Sequence, residues 1–178
     1  MKNKRFLEQY NALKLGWLHD SIFFVVLIVI IFIVFRFVIG ISIVGGASME
    51  PTLYDGNVVV YLRTVQTYEP GDVITMRVPS GEYYVKRVAA TAGETVELID
   101  GEVYIDGSLM EDPWGVGETN EESGAVIYPY TVRDDNVFVL GDNREVSMDS
   151  RMFGEVNKRQ IRGKMILAIG SGGIHGLN

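Results

Sequence analysis

From Ile22 to Phe35 the chain reads "IFFVVLIVIIFIVF", with no polar side chain in fourteen residues. Such a run has to lie inside a large core or in lipid. Alone it falls short of the ~20 residues that cross a hydrocarbon layer. Adding Ser21 on one side and Phe37 to Ile39 on the other reaches that length, with Arg36 placed to snorkel toward headgroups. The expectation is one spanning helix over 21–39. Lys2, Lys4, Arg5 and Lys14 precede it, and no Lys or Arg occurs from Phe37 to Leu62. The positive-inside rule then keeps 1–20 in the cytoplasm and sends 40–170 across the cell membrane as one extracytoplasmic domain, in a single-pass arrangement. Gly45 and Ala47 resemble a small-x-small cleavage site, but the apolar run exceeds the ~7–15 residue core of a secretory signal. An uncleaved anchor is the favoured reading.

After Arg36, eleven Lys and Arg face twenty-one Asp and Glu. That balance argues against nucleic acid and against a polybasic grip on anionic lipid. Cysteine is absent, which removes disulfides and thiol chemistry. Short β-branched runs broken by turn residues predict an all-β domain, with strands beginning at Asn57, Asp72, Glu82, Glu94, Glu102, Asn136 and Gly163. Asp100-Gly101 is a two-residue hairpin signal. The Gly- and acid-rich stretch 111–135 is expected to be a surface insertion, and 171–178 a flexible tail.

"GASMEPTLYDG" starts at Gly46, just beyond the apolar segment, and frames Ser48 as either a linker residue or a nucleophile. A Ser-His-Asp arrangement requires an imidazole beside the serine. His19 precedes the span and His175 lies in the Gly-rich tail, so neither is a credible partner. Lysine is the remaining base, and Lys86, Lys158 and Lys164 are the lysines beyond the span. In "YYVKRV" strand alternation puts Tyr84, Lys86 and Val88 on one face. Burial there would lower the amine from ~10.4 toward ~7–8 and free it as a general base. A lysine snorkelling from a sheet edge fits the same residues. A third cluster, "GDNREVSMDSRMFGEV" from Gly141, fails as a calcium loop because Arg144 and Val146 occupy ligand places. It stands either as an ordinary polar turn with an Asp149–Arg151 ion pair or as a loop that orients a neighbouring amine.

Taken in order, these pieces resemble bacterial type I signal peptidases of the short Gram-positive-like form. Ser48, Met49, Pro51 and Thr52 match the family's serine box. Gly71, Asp72 and Val73 match its Gly-Asp strand start, and Lys86, Arg87 and Val88 its Lys-Arg-Val segment. Gly141, Asp142, Asn143, Ser147, Asp149, Ser150, Arg151 and Gly154 match its closing loop. Ala92-Gly93-Glu94 departs from the usual Pro-Gly-Asp, which implies altered loop rigidity rather than lost catalysis.

The resemblance implies an all-β fold of mostly antiparallel sheets, of the type signal peptidases share with LexA-like repressors, behind one N-terminal transmembrane helix. It implies a serine endopeptidase that removes signal peptides from exported preproteins after small residues at −1 and −3. Ser48 would be the nucleophile and Lys86 the general base. Ser147 would hydrogen-bond the lysine amine, with Asp149 and Arg151 as a supporting pair. The Ser48 N–H would be one oxyanion donor; Gly46 stands where some relatives carry a second. Val44, Met49, Leu53, Tyr84 and Val85 would line the apolar substrate pockets. Implied partners are signal peptides and the lipid bilayer, with no metal, cofactor or nucleic acid. A self-cleaving repressor shares the dyad but carries a DNA-binding head, of which the first 45 residues give no sign. A catalytically silent peptide-binding module fits the intact boxes less well.

Overall fold

The apolar run lies in a long helix, α1 (Lys2–Ile33), which loosens into a π-helical segment at Val34–Val38 before the chain becomes extended at Ile39. This computed structural model describes residues 2–78, 80–123, 126–170 and 173–177, without the side chains of 2–16, 18 and 175. The chain forms two compact units, Met1–Val38 and Ile39–Asn178. In the first, His19–Val38 is long and apolar enough to cross a membrane by length and composition.

The second unit is mostly antiparallel β. Its first strand, β1 (Ile39–Ile43), pairs with β2 (Val58–Leu62). The sequence pattern hides β1, because "ISIV" prolongs the hydropathy of the anchor. Next come β3 (Val73–Arg77) and the long β4 (Tyr83–Thr91). A small sheet then forms from β5 (Thr95–Ile99), β6 (Glu102–Ile105), β7 (Ser108–Leu109) and β8 (Tyr130–Thr131), in the order β7-β6-β5-β8. The β5–β6 turn is the one expected: Asp100 and Gly101 take φ of 52° and 82°, as a two-residue primed turn requires. The chain returns through β9 (Asn136–Leu140), a short helix α2 (Ser150–Phe153), β10 (Val156–Asn157), β11 (Ile161–Gly170) and β12 (Gly173–Gly176). The large sheet runs β1-β2-β11-β3-β4-β9-β10, with β12 on β11.

Two expectations need correction. Of the tail 171–178, residues Gly173–Gly176 form β12 and pair with Leu167–Gly170, so backbone hydrogen bonds order a stretch with almost no apolar side chains to bury. The insertion 111–135 is not merely a surface excursion either. Val126 and Val132 are buried beside Phe138 and Leu140, and Val116 exchanges backbone bonds with Asp142 and Arg144.

Register decides where the site falls. Ile39 pairs with Leu62, Leu62 with Lys164, Lys164 with Ile74, and Ile74 with Lys86. One row across the sheet therefore joins the point where the chain enters it to the candidate base, four strand spacings or roughly 19 Å away. Beneath this row Met49, Leu53, Val59, Val73 and Met165 form a core cluster with almost no exposure.

Candidate active site

Ser48 is held from both sides. Met49 and Leu53 are buried to 1 % and 0 % exposure, and Leu53 N–H closes on the Met49 carbonyl at 2.8 Å. Upstream, Gly46 takes φ of 83°, a left-handed conformation that a side chain would strain. Its N–H donates to Asp55 Oδ1 at 2.8 Å. The Ser48 carbonyl accepts the Asn143 N–H at 3.1 Å, so the closing loop grips the backbone of Ser48. Among the described residues no acceptor takes the Ser48 N–H.

Lys86 stands in the middle of β4 at 3 % exposure. Its Nζ lies 2.7 Å from Ser48 Oγ and 5.6 Å from the centre of the Tyr84 ring, on the face that alternation assigned to both. Burial lowers the amine from 10.5 to about 8, against the pull of the Asp149 and Asp142 carboxylates, with the Arg151 charge assisting. Near neutral pH a sizeable neutral fraction exists, and the serine O–H can donate to it.

The wall of the site is the loop from Gly141. Gly141 N–H donates to Asp149 Oδ2 at 3.0 Å. Asp149 also receives Arg151 Nε at 2.9 Å and Nη2 at 3.0 Å, and it caps α2 through the Arg151 N–H. Arg151 Nη2 reaches back to the Arg144 carbonyl at 2.6 Å. Both members of this pair are fully enclosed, with side-chain exposures of 2 % and 0 %.

Ser147 belongs to the same wall, but the bond expected from its hydroxyl to the lysine amine is not formed. Its Oγ is buried and without a hydrogen-bond partner, because Nζ is turned toward Ser48. The hydroxyl occupies the space a side chain on Gly141 would need; a Cβ there would overlap Ser147 and come within 2.6 Å of the Ser48 carbonyl.

Arg87 carries more of the architecture than its place beside the base suggests. Its guanidinium donates to Asp142 Oδ1 at 2.8 Å and Oδ2 at 2.7 Å, to the Gly71 carbonyl at 2.7 Å and to Thr52 Oγ1 at 3.3 Å. The Trp114 ring covers it at 4.2 Å. One buried fork thus ties the serine box, the Gly-Asp strand start and the closing loop to the strand that carries Lys86. Strand alternation signalled that Arg87 faces away from Lys86, but its partner 55 residues on had no local signal.

A cleft of about 260 Å³ opens at the dyad. Val44, Met49, Tyr84 and Val85 line it, whereas Leu53 does not, being packed into the core beneath Met49. Ile43, Tyr83, Val146 and Met148 complete its rim and were not singled out from the sequence. At the departing turn, Glu94 accepts the Thr91 N–H at 2.6 Å and the Thr91 hydroxyl at 2.9 Å, so the acid holds the turn without proline. Among the described residues no group of three or more His, Asp or Glu is placed to hold a metal ion.

Comparison with known proteins gives a consistent result. The family model described as signal peptidase, peptidase S26, matches residues 16–169. A signal peptidase I from Bacillus amyloliquefaciens is 32 % identical over 173 residues, covering 92 % of this chain and 91 % of the relative. A signal peptidase IB from Staphylococcus aureus is 36 % identical over 154 residues, covering 77 % and 81 %. The crystal structure of a signal peptidase I from Enterococcus faecalis V583 is 29 % identical with a TM-score of 0.47, covering 57 % of this chain and 98 % of that one.

Proposed function

The chain belongs to the signal peptidase family, peptidase S26, and on that premise we propose that it is a serine endopeptidase that removes signal peptides from exported preproteins with a Ser48–Lys86 dyad. The observation that carries the dyad is the 2.7 Å approach of a buried lysine amine to the serine oxygen. The neutral amine accepts the hydroxyl proton as Ser48 Oγ attacks the scissile carbonyl. The Ser48 N–H points its dipole at the developing oxyanion. Lys86, now an ammonium, gives its proton to the departing amine, and the signal peptide remains as an ester on Ser48. A water that loses its proton to the same amine then cleaves the ester. Asp149 with Arg151, and Asp142 with Arg87, position the loop whose Asn143 N–H holds Ser48.

Specificity follows from the cleft. Val44, Met49 and Val85 present shallow apolar walls against β4 and the strand before Ser48, which suits small side chains before the cut. The apolar helix, with its basic residues ahead, anchors the enzyme through His19–Val38 rather than 21–39, since Ile39 already pairs with Leu62 in the sheet, and it leaves the residues before it in the cytoplasm and the catalytic domain outside. Chain entry at Ile39 and the base at Lys86 share one row of the sheet. A substrate held in the bilayer by its own apolar segment therefore meets the dyad at a raised effective concentration.

The test is cleavage of a model preprotein by the full chain in detergent micelles, with the cut mapped by mass. Ser48→Ala and Lys86→Ala each abolish cleavage while leaving the β-sheet circular dichroism unchanged. Full activity in either variant would reject the dyad, and cuts after bulky residues would reject the pocket reading.

A further inference from the structure

The catalytic unit is acidic overall, yet its cations are unevenly placed. Of the eleven Lys and Arg after Arg36, Arg87, Arg133, Arg144, Arg151 and Lys164 are paired with carboxylates. Lys86 is committed to Ser48, and Arg63 stacks on Tyr61 at 5.0 Å. Four others, Arg77, Lys158, Arg159 and Arg162, have no ion pair among the described residues, although Arg162 lies over the Tyr83 ring at 5.5 Å. These four are neighbours in the fold. Arg77 ends β3, Arg162 is the second residue of β11, and Lys158 and Arg159 form the 3-10 turn that leads into it. Arg77, Arg159 and Arg162 line one open cavity. Glu82 on the adjoining turn accepts from Ser80 Oγ rather than from any of them.

Position narrows the partner. Along β11, Arg162 lies two residues before Lys164, which shares a row with Ile39, the residue that directly follows the apolar segment in the chain. Two to three strand spacings separate β1 from β11 and β3, roughly 10–14 Å. The unpaired cations thus sit at the end of the sheet where the chain enters it, within about two Debye lengths of that point. At their border Arg162 Nη2 donates to Tyr83 Oη at 3.2 Å. Tyr83 is 55 % exposed and also lines the catalytic cleft. Cations beside an exposed tyrosine match the chemistry of a lipid headgroup region.

We infer that Arg77, Lys158, Arg159 and Arg162 form a docking surface for the phosphates of anionic lipid headgroups, which holds the cleft against the bilayer. This rests on the membrane-anchored reading above, and it qualifies what the charge balance alone suggests, since an acidic total conceals a segregated basic face. The guanidiniums donate to phosphate oxygens in fork geometry while Lys158 contributes a point charge.

The chain has no cysteine, so Ser80→Cys on the exposed turn beside Arg77 takes a single fluorophore, with Ser108→Cys on the small sheet as the control. The full chain is reconstituted into phosphatidylcholine vesicles with or without phosphatidylglycerol, and headgroup spin-labelled lipid is the quencher. Quenching at position 80 should be strong with the anionic lipid and weak without it or in high salt, while position 108 stays unquenched. Removing Arg77, Lys158 and Arg159 together as Gln variants should lower occupancy of the docked state about fivefold per cation and erase the dependence on lipid charge. Equal quenching in both lipids, or no effect of the triple variant, overturns the site. Reduced cleavage of a soluble acidic peptide in detergent by the triple variant, with vesicle quenching intact, reassigns the face to substrate and overturns it too. A chain that fails to float with vesicles overturns the anchor and this site together. Flotation without charge-dependent quenching overturns the headgroup site alone.

Discussion

Replacing Lys86 by Met tests whether the base is held in its active form at the expense of the fold. The amine is 3 % exposed, and burial brings it from 10.5 down to about 8. Between those values the unfolded chain binds more protons than the folded one, so stability rises with pH across that window and is lowest below about 8. The whole depression amounts to about 3 kcal/mol. Nearly all of it is felt at about pH 6.5, and about 1.4 kcal/mol remains near pH 9.5. Lys86→Met keeps the volume, loses the charge and loses all cleavage. Its stability relative to wild type should therefore be greater at the lower pH by about 2 kcal/mol, whatever constant offset the lost Ser48 contact adds. The assay is urea unfolding of both full chains in detergent at the two pH values, followed by near-ultraviolet circular dichroism. A difference that does not change with pH, or that grows toward alkaline pH, would refute a buried, destabilised amine.

The same amine sets the rate. The kcat/KM of wild type should fall about tenfold per pH unit below a midpoint near 8; a midpoint near the ordinary lysine value in a peptide assay would contradict the burial. Arg151→Gln leaves Asp149 unopposed, which moves that midpoint upward, and an unchanged or lower midpoint would show that the pair acts only mechanically. Gly141→Ala drives a methyl into Ser147 and toward the Ser48 carbonyl, for an expected loss of about 10²-fold in single-turnover rate; near-normal turnover would mean the wall yields. Asp142→Ala strands the buried Arg87 guanidinium and should lower stability by about 3–5 kcal/mol in urea titration, well beyond what an exposed pair would give.

Much of the site could be read from the chain because its parts are short and local. Ser48 stands out by its small neighbours and turn residues, and Lys86 by elimination of both histidines and by its place in a β-branched run. Asp149 and Arg151 are two positions apart, with Ser150 between them, so the loop's own geometry makes the pair. What could not be read depends on distant pairing. β12 consists of glycines around Ile174 and His175 and carries no alternation, so only β11 beside it makes it a strand. β1 alternates weakly inside a longer apolar run, and its pairing with β2 separates it from the helix. The family resemblance implies that Leu53 lines a substrate pocket. The turn that exposes Ser48 instead drives Met49 and Leu53 together into the core.

The distribution of charge explains how such a base is tolerated at all. An isolated buried ammonium beside carboxylates would stay protonated, and the loop that positions Ser48 needs both Asp142 and Asp149 at 0 % exposure. Each carboxylate is therefore matched to its own arginine, Asp142 by Arg87 and Asp149 by Arg151, in forked contacts of 2.7–3.0 Å. The pairs are structural anchors, and the Arg151 charge offsets part of the carboxylates' pull on Lys86, for which burial is the leading influence.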